Sequence, residues 1–110
     1  MELTKSVRKQ MQDIIQCGIL RRCDQWIQEM KDLLESSIPE SENAFDRCME
    51  VTKRSHNFFK EAMQRENYYR NTRLLDGAAE LLHSGFLTME DLAPLPEEVQ
   101  SAIRFMARID

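Results

Sequence analysis

A chain of 110 residues has the length of one domain and can bury one hydrophobic core, but not two independent ones. Apolar side chains make up 42% and charged ones 31%, which excludes the hydrophobic depletion of a disordered chain; three glycines and three prolines are too few for the turns of a sandwich or barrel. The net charge of −4 is uneven: residues 74–110 carry two basic against seven acidic side chains, net −5, a poor surface for nucleic acid or anionic lipid, while residues 1–73 stand near neutral at +1.

These totals predict an all-α fold in a single helical domain over residues 1–110. Cys17, Cys23 and Cys48 are odd in number and sit among helical apolar positions, and no signal-peptide pattern opens the chain. The expectation is a reducing intracellular compartment, cytoplasmic or nuclear, with the thiols packed as core residues. No apolar run approaches the ~20 residues needed to cross a bilayer, so no membrane role is expected.

From the start of the chain, Leu3, Val7, Met11, Ile15, Ile19 and Cys23 recur every fourth residue, and Trp26, Ile27, Met30, Leu33 and Leu34 continue at threes and fours. The spacing predicts an amphipathic helix from about residue 3 to 36, with Gly18 the cheapest place for a kink. Ser36-Ser37-Ile38-Pro39-Glu40-Ser41 then breaks it, since the residue before a proline is pushed out of helical geometry, and Ser41 is placed to cap the next helix. So short a loop implies an antiparallel hairpin, with Trp26, Met30 and Leu33 meeting Phe45 and Met49 near its closed end.

Ser41–Ser84 is a run of about forty residues without proline, and it holds one glycine, Gly77. Its first half spaces Phe45, Cys48, Met49, Thr52, His56, Phe59 and Met63 along one helical face, and this seam is expected to be the core, so that Phe59→Asp would unfold the protein. After Met63 the apolar series resumes only at Tyr68 and runs on through Thr72, Leu75, Ala79 and Leu82. Five residues rotate a helical face by about 140° beyond a full turn, which predicts a kink or phase shift near 65–71. Gly85 and Phe86 close the helix, Thr88 and Asp91 cap a short turn, and Pro96 with Glu97, Glu98, Val99, Ala102, Ile103 and Met106 predicts a C-terminal helix from about 96 to 108.

Chemistry-bearing constellations are few. Glu80-Leu-Leu-His83 has the spacing of di-iron bundle ligands, but a di-iron site also needs a second copy that the chain lacks. No close cysteine or histidine pair suggests zinc, and no cofactor signature is present. Arg65, Tyr68, Tyr69, Arg70 and Arg73 interleave guanidinium groups with aromatic rings, residue types suited to an acidic peptide or to stacked bases. The first helix is apolar almost all round from Ile14 to Cys23 and the second changes face halfway, so three helices leave apolar surface uncovered, which predicts a partner.

The reading is a small helical bundle with two long antiparallel helices, the second kinked or phase-shifted near 65–71, and a shorter C-terminal helix. Its expected function is non-enzymatic: an adaptor, a small subunit of a larger assembly or an inhibitor, binding another protein through helix faces, with a second copy of the chain among the candidate partners. The partner-binding residues are expected to be Arg65, Tyr68, Tyr69, Arg70 and Arg73. Two rival readings stand beside it: a metal-dependent helical-bundle enzyme using Glu80 and His83, and a single-stranded nucleic-acid binder using the Arg/Tyr cluster at 65–73.

Overall fold

Thr4 opens the first helix by accepting the Val7 N–H on its hydroxyl at 3.1 Å, and helix α1 then runs without a break over Lys5–Glu35. The structure, a computed structural model, describes residues 2–65, 69 and 72–108. After α1 come α2 (Ala44–Phe58), a π turn (Phe59–Met63), α3 (Leu74–His83) and α4 (Glu97–Met106), with no strand among the described residues. The all-helical reading, with a long first helix and a shorter C-terminal one, is what the molecule has.

The core sits at one end. The N-terminal half of α1 brings Met11, Ile15 and Ile19 against α3, which packs in turn on α4. Ile15, Leu81, Leu92 and Ile103 are fully buried there, each contributing roughly 1.5–3 kcal/mol by leaving water. Gly18 is a notch in α1, and the helix continues through it. A Cβ on Gly18 would stand 3.0 Å from Leu81 Cδ1 and 3.1 Å from Leu87 Cγ, so the bare backbone lets the end of α3 close on α1.

α3 ends as its sequence predicts. Gly85 takes φ +84°, the Phe86 N–H donates to the Leu81 carbonyl at 2.9 Å and the Gly85 N–H to the Leu82 carbonyl at 3.2 Å, while Phe86 packs against the core. Thr88 and Asp91 then cap each other: the Thr88 N–H donates to Asp91 Oδ2 at 2.7 Å and the Asp91 N–H to Thr88 Oγ1 at 3.3 Å. Arg21 clamps this turn to α1, donating to both Asp91 carboxylate oxygens at 2.7 and 3.0 Å and to the Phe86 carbonyl at 3.1 Å.

The distal half of α1 and all of α2 form an arm beyond this head. Ser41 does not cap α2. The Glu42 N–H is bonded to the Pro39 carbonyl at 2.9 Å, which places Ser41 inside a turn, and Asn43 caps α2 in a reciprocal pair with Asp46. Arg47 reaches back to the end of α1, donating to the carbonyls of Leu33, Ser36 and Ser37. Further along, Trp26 and Phe58 stack with ring centroids 4.8 Å apart, and Cys23 Sγ meets Met63 Sδ at 3.3 Å.

These contacts overturn the expected core seam. Arg47, Val51, Ser55 and Phe58 are half-buried and Ala62 is buried, so this line of α2 faces α1. The Phe45–Phe59 line lies about 120° further round the helix at ~100° per residue, and it points outward. Phe45 is 70% exposed, Met49 55% and Phe59 60%, and α2 has no buried residue. Trp26 accordingly meets Phe58, not the expected Phe45 and Met49.

A phase shift is present just ahead of the expected segment. An α-helix would set Phe58 and Met63 about 140° apart, but the π turn, closed by the Gln64 N–H on the Phe59 carbonyl, brings both onto α1. Beyond the segment, Arg73 leaves helical geometry at φ −135° and ψ 72° before α3 starts. Residues 66–68 and 70–71 of the expected kink lie outside the described residues.

Candidate functional site

Two rows of exposed apolar side chains run along the arm. On α2 the row is Phe45, Cys48, Met49, Thr52, His56 and Phe59, all exposed. On α1, Leu20, Ile27 and Leu34 recur every seventh residue and are each more than half exposed, at 54%, 58% and 61%. Seven residues nearly complete two turns, so these three form one line, about 100° ahead of Trp26 and Leu33 in the sense in which the helix advances. The α2 row lies about 120° ahead of its own contact line in the same sense. In an antiparallel pair such offsets fall on one side of the hairpin, so both rows belong to one face.

The internal contacts fix the heights along that face. With Trp26 level with Phe58 and Cys23 with Met63, Ile27 stands beside Phe59 and Leu34 beside Met49. Ile38 is also exposed. The result is a ladder of large apolar side chains from the loop towards the head, with Met30 buried between the helices behind it.

The cysteines and His56 depart from the expectation of core burial: Cys17, Cys48 and His56 are exposed and Cys23 is partly buried. Cys48 and His56 follow from the outward turn of α2, and Cys17 lies on the side of α1 away from α3.

The Arg/Tyr cluster has another setting. Arg65 Nη2 pairs with Glu80 Oε1 at 2.5 Å and Arg73 Nε with Asp76 Oδ2 at 2.7 Å, so both guanidiniums fasten the connecting segment to α3. Tyr69 is half-buried, its Cβ only 2.8 Å from where a Gly77 Cβ would stand, so Gly77 makes room for it. Tyr68 and Arg70 lie outside the described residues. Tyr69, Asp76, Glu80, His83, Met106 and Arg108 line a groove of about 370 Å³.

Within that groove Glu80 is paired with Arg65, and the His83 Nδ1–H donates to the Ala107 carbonyl at 3.0 Å, tying the end of α3 to the end of α4. No group of three or more His, Cys, Asp or Glu side chains among the described residues could hold a metal ion. Also among them, no helix is long and apolar enough to cross a membrane. The chain matches no protein-family model, no curated protein and no solved structure.

The outward rotation of α2 had one signal in the sequence. Phe58 stands beside Phe59, and a second line through Arg47, Val51, Ser55, Phe58 and Ala62 shares the helical spacing. Its weak polarity made it the less apolar of two possible inner faces, and Trp26 and the α1 carbonyls select it.

Proposed function

We propose that this chain is a non-enzymatic interaction protein, an adaptor or small subunit, whose α1–α2 arm docks on protein through the outward ladder of Ile27, Leu34, Phe45, Met49 and Phe59. The head built from α1, α3 and α4 is the scaffold that holds the arm. One observation carries the reading: α2 buries no residue within its own chain, while its most apolar line stands in water. Apolar area left exposed forgoes about 25 cal/mol per Å², and a contiguous row of this kind is how docking surfaces look before they are covered. Helix-in-groove recognition through anchors at heptad spacing is the binding mode that fits.

Replacing Phe45, Met49 and Phe59 together by serine tests it. The variant is expected to keep its helical circular dichroism and the melting of its head, and to lose a stoichiometric protein partner that the unaltered chain retains. Retention of that partner with unchanged affinity would contradict the reading.

A further inference from the structure

We infer that the occupant of this face is a second copy of the same chain, with α2 packed antiparallel on α2 about a twofold axis at Thr52. The inference rests on the reading of the face as an interface.

All of the α2 row except Met49 is symmetric about its middle; Met49 falls opposite Ser55, which faces α1. Phe45 and Phe59 are equally far from Thr52 in sequence, and so are Cys48 and His56. Reversed and laid on itself, the row sets Phe45 on the partner's Phe59 at both ends and Thr52 on the partner's Thr52 at the centre. Thr52 can be covered there without an unpaired donor, because its hydroxyl already donates to the Cys48 carbonyl at 2.9 Å and leaves the methyl group to pack.

Charge nearly follows the same symmetry on both outer edges. In an antiparallel pair, like edges meet. On the α2 edge Asp46 then comes near the partner's Lys60, and Lys60 near the partner's Asp46; on the α1 edge Lys31 comes near the partner's Glu35, and the reverse. The first set is centred at residue 53 and the second at residue 33. The contacts of Trp26 with Phe58 and of Cys23 with Met63 put those two heights side by side within one hairpin. An axis at Thr52 therefore serves the symmetric part of the apolar row and brings Asp46 and the partner's Lys60 to within two residues, about 3 Å, of level, a gap that the long lysine side chain spans. Lys53 approaches the partner's Lys53 near the axis, the one like-charge contact in the set. The closed end of the partner's hairpin would reach about the height of Met63, short of the head. The product is a four-helix arrangement of two hairpins, with a and d positions Cys23, Ile27, Met30 and Leu34 on α1.

Sedimentation velocity of the whole chain over a dilution series tests the proposal, with variants Lys60→Asp and Asp46→Lys. The unaltered chain is expected to dimerise. Each variant alone faces two like-charge contacts across the axis, and its dimer should dissociate at least tenfold more readily, whereas an equimolar mixture of the two restores both opposite-charge contacts and should recover the dimer. That recovery also shows that both variants are folded, as does unchanged helical circular dichroism. A mixture that stays monomeric, or single variants that dimerise like the parent, overturns the proposal. Mild oxidation of Thr52→Cys, in a chain with Cys17, Cys23 and Cys48 replaced by serine, should give a covalent dimer; a dimer that fails to cross-link overturns the antiparallel register. If the parent is strictly monomeric yet the triple serine variant loses a different protein, the second copy is wrong and the docking face stands. If neither effect appears, both fall.

Discussion

Arg21 joins three pieces of the head through one guanidinium: its own helix, the carbonyl of Phe86 and the carboxylate of Asp91. The hydrogen bonds from Arg21, followed by those of the Thr88 N–H and hydroxyl, hold the Asp91 carboxyl at about 2, well below its ordinary value near 4. A depressed carboxyl contributes stability that is present above its unfolded value and lost as pH falls through its folded one. The protein should therefore lose stability through this group between about pH 4 and pH 2. Thermal melts of Asp91→Asn should lie below those of the parent at neutral pH and converge with them at the acid end of that window. Alanine in place of Gly18 would gain about 1 kcal/mol of helix propensity in open helix, but its methyl group would press on Leu81 and Leu87, which are both buried. Gly18→Ala should show no such gain in urea denaturation, and a full 1 kcal/mol of stabilisation would mean the notch is looser than drawn.

At the scale of elements, the two halves of the chain were legible to different depths. The closure of α3 at Gly85, the Thr88–Asp91 cap and the position of α4 could be read directly, because each depends on local backbone chemistry that nearby residues settle. The rotation of α2 could not. A helix with apolar residues on two lines does not say which line faces inward; that choice falls to partners far off in sequence, here Trp26 and the open carbonyls at the end of α1. The core seam was misjudged for the same reason, since the stripe taken for the core is the one left in water. Phe59→Asp, expected to unfold the chain, is now expected to leave a dilute monomer within about 0.5 kcal/mol of the parent. Leu81→Ala, with its side chain fully buried, should cost roughly 2–5 kcal/mol by the same denaturation measurement. Equal losses for the two would return α2 to the core.

The whole molecule is long for its mass. Its Cα radius of gyration is 17.3 Å and its extents are 56 × 25 × 19 Å, whereas a compact chain of this length would have a radius near 13 Å. The excess is the arm, whose two helices touch through a few contacts while the head holds the core. Small-angle scattering at high dilution should return the larger radius, and a value near 13 Å would mean the arm folds back on the head. On the proposed reading, the face carrying Cys48 is open to solvent in one copy of the chain and is covered by association. The most direct test is the alkylation rate of Cys48 in a chain whose Cys17 and Cys23 are replaced by serine. At high dilution the thiol should react as fast as in the denatured chain, and it should slow as protein concentration rises. A thiol that reacts slowly at every dilution and is released only by denaturant would place this face inside the monomer and contradict the account.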